Sequence, residues 1–128
     1  MMQIQVYYED TDCGGIVYHT NYLKYCERAR SQWFFDANLL PNNQEVGFVV
    51  KNMQIDFLQS AKLGDKLQIH TKILELKSAS ILLEQSIFLE HKKIFFAKLT
   101  LVCINQKGKI TKIPQWAKEV FIKAQKSV

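Results

Sequence analysis

The stretch Thr20-Asn-Tyr-Leu-Lys-Tyr-Cys-Glu-Arg-Ala-Arg-Ser-Gln-Trp-Phe-Phe35 decides the architecture, because here the apolar period stops being two and becomes helical. Tyr22, Tyr25, Cys26, Ala29 and Trp33 fall at i, i+3, i+4, i+7 and i+11, while Lys24, Glu27, Arg28 and Gln32 fall elsewhere. A helix of about fifteen residues follows from that stripe. Thr20 or Asn21 can cap its start, and Asn38 with Pro41-Asn-Asn43 ends it. Upstream, residues 3 to 8 alternate polar and apolar and read as a first strand. Between strand and helix, Asp10-Thr-Asp-Cys-Gly-Gly15 supplies turn formers and two glycines able to take positive φ or to let the backbone approach closely.

Downstream, four runs at roughly 47 to 59, 65 to 76, 79 to 90 and 93 to 105 alternate with period two and read as strands. Val49, Met53, Ile55 and Phe57 are expected to share one face of the first. Leu67, Ile69 and Ile73 share one of the second, and Ile81, Leu83, Ile87 and Leu89 one of the third. In the fourth, Phe95, Ala97, Leu99, Leu101 and Cys103 lie opposite Lys98 and Thr100. The links Leu63-Gly-Asp65, Lys77-Ser-Ala79 and His91-Lys-Lys93 are too short for crossover helices, so the expectation is an antiparallel meander. Runs of about twelve residues would extend roughly 40 Å, so the sheet must curl, and the amphipathic helix is the element able to fill its concave side. A last helical segment after Pro114, with Trp116, Val120, Phe121 and Ala124, covers an edge or an end. The reading is α+β, with residues 1–128 as a single domain.

Hydrophobic residues make up 48% of the chain and charged ones 23%, a composition that argues against disorder. The formal charge is +5, from 17 Lys and Arg against 12 Asp and Glu, and it favours anionic ligands. The basic residues are scattered, with no Arg-rich helix, zinc-ligand spacing or base-stacking sheet signature, which argues against nucleic acid. A phosphorylated small molecule or an acidic carrier protein uses the same charge. Cys13, Cys26 and Cys103 fit neither a disulfide framework nor a metal site. With no signal-like N-terminus and no apolar run of membrane-spanning length, the expected location is the cytoplasm. No cofactor and no metal are expected.

Carboxylates, glycines and a histidine gather in Tyr7-Tyr-Glu-Asp-Thr-Asp-Cys-Gly-Gly-Ile-Val-Tyr-His19. This places Asp12 close to the first turn of a helix, whose free N–H groups and positive dipole end suit an anion or a developing oxyanion. Thioester hydrolysis uses both parts: donors for the carbonyl oxygen, and a carboxylate to attack the carbonyl or activate water. At an ordinary Asp pKa near 4 the carboxylate is ionised at neutral pH. The same residues would also serve if they merely shaped a turn. Likewise His19 can cap or pack, and Tyr7, Tyr8 and Tyr18 can be packing aromatics.

The run Tyr8-Glu-Asp-Thr-Asp-Cys-Gly-Gly-Ile-Val-Tyr-His-Thr-Asn-Tyr22, followed by Tyr25-Cys-Glu-Arg-Ala-Arg30, closely resembles the bacterial acyl-CoA thioesterases encoded with the Tol-Pal envelope system. These belong to the 4-hydroxybenzoyl-CoA thioesterase branch of the hotdog superfamily. The resemblance extends through Gly47-Phe-Val-Val-Lys51 to Val102-Cys-Ile104. It implies a hotdog fold, a strongly curved antiparallel sheet around a long helix, with subunits pairing sheet to sheet as a homo-oligomer, a dimer of dimers. It also implies Asp12 as nucleophile or general base, the His19 backbone amide as a carbonyl polariser, and Tyr7 as an orienting group. Gly15, Val17 and Tyr18 become the expected substrate contacts at the loop. The coenzyme A nucleotide is expected near Lys77, Ser78 and Ser80, although the richer basic cluster of the distant 4-hydroxybenzoyl enzymes is missing there.

Hydrolysis of acyl-CoA, with a fatty acyl group, is therefore the expected function. A reading from another class is an interaction protein at the inner membrane that binds acyl carrier protein or phospholipid-synthesis enzymes and hydrolyses weakly. A hotdog dehydratase fits less well, because its His and acid arise from a different strand and helix placement.

Overall fold

The apolar stripe around Tyr25 forms α1 (Asn21–Asp36) in the computed structural model, which describes residues 1–126. Tyr22, Tyr25, Cys26, Ala29 and Phe34 are buried along it. The helix stops as expected at Asn38, whose φ of 59° is left-handed, with Leu39 N–H donating back to the Phe34 carbonyl at 2.9 Å. Its start differs from expectation. Thr20 makes no side-chain cap, and the Asn21 amide donates to the Asp10 carbonyl at 2.8 Å instead. Thr20 thus holds the N-cap position through its backbone, its carbonyl accepting from Leu23 N–H at 3.1 Å, while the Asn21 side chain is drawn to the loop that precedes it.

Five antiparallel strands form one sheet: β1 (Met2–Gln5), β2 (Val46–Phe57), β3 (Lys66–Leu76), β4 (Ser80–Leu89) and β5 (Lys92–Asn105), in the order β1-β3-β4-β5-β2. The first strand ends earlier than its alternation suggests. Asp10 Oδ2 accepts from Tyr7 N–H at 2.9 Å, and Tyr8–Asp10 folds into a 3-10 turn. The meander is confined to β3, β4 and β5, because β2 pairs with β5 along its length, from Val46↔Asn105 to Phe57↔Phe95. Residues 58–65 therefore cross the end of the sheet. Their closing turn, with Gly64 at φ 89° and Lys62 N–H on Asp65 Oδ2 at 2.8 Å, is tight whichever strands it serves. Val49 is also not on the predicted face: a register shift between Val50 and Asn52 sets Phe48 and Val50 in line with Met53, Ile55 and Phe57.

Pairing aligns the inner face into rows across four strands. One runs Ile69, Ile87, Phe95, Phe57, the next Thr71, Gln85, Ala97, Ile55, and the third Ile73, Leu83, Leu99, Met53. α1 lies over this face, anchored where Gln85 Nε2 donates to the Cys26 carbonyl at 2.9 Å. The predicted last helix is α2 (Gln115–Lys126). Its Phe121 meets Phe34 at 5.3 Å and Phe48 at 5.5 Å edge to face, so it closes the far end of α1.

Candidate active site

The loop between β1 and α1 is a small hairpin with Thr11 bridged to Val17, joined to the crossing link by Ile16 opposite Lys62. At its tip Gly15 sits at φ 79°, and its N–H donates to the Asp12 carbonyl at 3.1 Å. Gly14 N–H donates to Asp12 Oδ1 at 2.8 Å, and a Cβ at Gly14 would stand 3.3 Å from that oxygen. One carboxylate oxygen therefore shapes the turn. The other has no hydrogen-bond partner among the described residues, and the side chain is exposed. Turn-making and chemistry are compatible in the same group.

Tyr18 N–H donates to the Asp10 carbonyl and Asn21 N–H to the Tyr18 carbonyl, each at 2.9 Å. Among the described residues the N–H groups of His19 and Thr20 meet no acceptor, and they stand at the positive end of α1. The exposed His19 ring packs on Tyr18 at 4.6 Å and edge-on to Phe57 at 6.1 Å. Beneath them Tyr22 stacks on Phe95 at 5.4 Å, and Phe57 meets Phe95 at 5.5 Å. The Tyr22 hydroxyl accepts from Ala61 N–H at 3.0 Å, and the Ala61 carbonyl accepts from Val17 N–H at 2.9 Å. Burial pushes the Tyr22 pKa up against the lowering effect of the Ala61 bond, with Asp65 adding to the rise. The crossing link is thus tied to both the loop and the helix start.

The structure gathers Asp12, Gly15, Tyr18 and His19 at one end of the sheet. Val17 is beside them, but only 3% exposed and with its N–H committed to Ala61, so it is a core residue without a donor to offer. Tyr7 opens the 3-10 turn and is 61% exposed. Lys77, Ser78 and Ser80 are not brought together with Asp12. They lie where β3 turns into β4, with Ser80 opening β4, at the other end of an eleven-residue strand whose contour is roughly 35 Å. There Lys77 pairs with Glu75 at 3.7 Å, Lys77 N–H donates to the Ser80 carbonyl, and the Ser78 carbonyl accepts from Ile113 N–H. A cavity of about 210 Å³ lined by Met2, Trp33, Ile69 and Val120 lies toward the C-terminal half of α1, also away from the loop.

Sequence reasoning missed Phe57 and Ala61, which reach the site only through the crossing link. It also missed the reach of Asp10, whose carbonyl and carboxylate together hold Tyr7, Tyr18 and Asn21. The hydroxyl of Tyr25, buried below the loop, has no full hydrogen bond among the described residues. Burial first, and then the Asp10 carboxylate, push its pKa well above the ordinary tyrosine value.

A helix held against one face of a five-stranded antiparallel sheet, and entered through a carboxylate and glycine loop, defines the hotdog-fold thioesterase class. The chain belongs to the thioesterase-like superfamily, whose sequence profile matches residues 6–121. It is 53% identical over 87 residues to the acyl-CoA thioesterase YbgC of Helicobacter pylori, a match spanning 68% of this chain and 65% of that protein. It is 38% identical over 123 residues to the acyl-CoA thioesterase YbgC of Haemophilus influenzae, spanning 92% and 90%. The crystal structure of a probable thioesterase from Bartonella henselae, 33% identical, matches with a TM-score of 0.82 over 88% of this chain and 97% of that one.

Proposed function

We propose that this chain is an acyl-CoA thioesterase that cleaves fatty acyl-CoA to the free acid and coenzyme A. The observation that carries the reading is that one short loop holds both a free Asp12 carboxylate oxygen and the unsatisfied His19 and Thr20 N–H groups at the start of α1. The N–H groups stabilise the negative charge that develops on the carbonyl oxygen. Asp12 acts by one of two routes, attacking the carbonyl carbon to give an anhydride that water opens, or taking a proton from the attacking water. On either route the C–S bond breaks and the thiolate leaves with little acid help. His19 and Tyr18 flank the reacting carbonyl, Gly15 gives close backbone approach, and Tyr7 orients the substrate from the rim.

Asp12 is exposed in a single chain, and Lys77, Ser78 and Ser80 lie at the far end of its sheet. Substrate held by both must be shared between copies. A second copy fits along β2, a twelve-residue strand paired on one side, with Val49, Val50 and Phe57 exposed at 41%, 45% and 52%. Two such dimers assemble into the tetramer. The reading places the protein in the cytoplasm, in the 4-hydroxybenzoyl-CoA thioesterase branch and beside the Tol-Pal system. Among the described residues no helix is long and apolar enough to cross a membrane.

The test is a chain-length series of acyl-CoAs with the native protein and folded Asp12→Asn, which keeps size and removes charge. Turnover is expected to fall at least about a hundredfold; equal rates would refute Asp12 as the catalytic carboxylate. In a single turnover in ¹⁸O-water, label in Asp12 identifies direct attack with water opening the anhydride at the aspartyl carbonyl, and trapping of the anhydride by hydroxylamine detects direct attack when water opens it at the acyl carbon.

A further inference from the structure

Gln85 interrupts the apolar inner face of β4 and is fully buried, at 0% exposure. Its amide is well used: Nε2 donates to the Cys26 carbonyl at 2.9 Å and to Thr71 Oγ1 at 3.0 Å, and Oε1 accepts from an Arg30 guanidinium nitrogen at 2.8 Å. Holding α1 to the sheet does not require this, since an apolar side chain of similar size would do so without desolvating an amide. What the glutamine adds is a fixed direction for Arg30. A guanidinium carries five N–H donors and Gln85 occupies one. Among the described residues no carboxylate forms an ion pair with Arg30, and Glu27, one turn earlier, accepts instead from the Ser31 hydroxyl at 2.7 Å. The result is a half-buried cation, its charge disfavoured by burial, with donors to spare.

Its position is fixed by the sheet register. Gln85 lies in the row of Ala97 and Ile55, and the neighbouring row ends at Phe57, whose ring meets His19. Two residues along a strand is about 7 Å. Phe57 is 52% exposed and Ile55 half-buried, so the β2 side of the inner face is less covered than its centre, on the strand where a second copy would complete the wall of a substrate channel. Helical side chains lean toward the helix N-terminus, which carries the Arg30 guanidinium toward the Asp12 end. An acyl group starting at His19 and running past Phe57 toward Ile55 approaches that cation.

We propose that Arg30, aimed by Gln85, is a specificity-determining residue that selects acyl groups bearing an oxygen acceptor, a carboxylate foremost, roughly 10 Å beyond the thioester carbonyl, the helical rise from His19 to the Cys26 turn that Gln85 grips. The inference rests on thioester hydrolysis and narrows its acyl class. Ten-carbon esters test it: decanoyl-CoA against sebacoyl-CoA, which is the same chain ending in a carboxylate. The native protein should favour sebacoyl-CoA in kcat/KM by about tenfold or more, as one charge-assisted contact allows. Arg30→Met should bring the ratio to one or below, and Arg30→Lys, which keeps the charge, should retain part of it. An equal fall for both esters in Arg30→Met, leaving the ratio intact, would overturn the proposal and make Arg30 a helix clamp. A native protein without the preference would overturn it as well. Calorimetric binding of the two esters reads the same preference without turnover. Arg30-dependent binding without hydrolysis would therefore sink the thioesterase reading and keep this one.

Discussion

Asp10 and Asp12 stand two residues apart and are put to different uses. Asp10 spends its carbonyl and one carboxylate oxygen on Tyr7, Tyr18 and Asn21, whereas Asp12 gives one oxygen to Gly14 and keeps the other. The shape of this loop depends on Gly15. A Cβ there meets nothing within 4 Å, so Gly15→Ala isolates the cost of forcing an L-residue to φ 79°, about 1 to 2 kcal/mol. Thermal unfolding should register a loss of several degrees, and an unchanged Tm would mean that the loop relaxes by another path. Asp12 and Gly15 were legible in the sequence because the bonds they make are local. The contact between Arg30 and Gln85 was not, since 55 residues separate the partners and a glutamine within an apolar run does not name what it faces.

Elements were read from periodicity, and the helix and the four long strands lie where their patterns put them. The neighbour of β2 was not legible. The turn before β3 satisfies itself through Lys62, Gly64 and Asp65, and such local closure looks the same in a hairpin and in a crossing. The consequence is an edge strand with one side unpaired, which long apolar edges seldom leave bare. Val50→Lys places a charge on that edge. If the proposed assembly pairs along β2, sedimentation should then report a shift from the tetramer toward smaller species, with thioesterase activity falling in parallel. An unchanged mass would remove β2 from the interface.

Over the whole molecule, burial of acids sets the alkaline limit. Cys26 is pushed up to about 12 from 9.0, and the tyrosines Tyr22 and Tyr25 are raised by the same cause. Above pH 9 the unfolded chain loses these protons while the folded one keeps them. Their contribution to stability is therefore complete below about pH 9 and is lost as pH climbs toward 12. The urea midpoint should fall across that window, and less steeply in Cys26→Ala; parallel curves would show that the thiol plays no part.

The strap formed by residues 58–65 has a mechanical consequence. It leaves the strand at the outer margin, lies against the Asp12 loop, and is fastened at Ala61 on both its amide and its carbonyl. Whatever steadies that margin steadies the reactive end as well. In the proposed assembly, contact between copies along β2 and the seating of the Asp12 loop are then coupled through Ala61, so dilution that separates the copies is expected to loosen that loop.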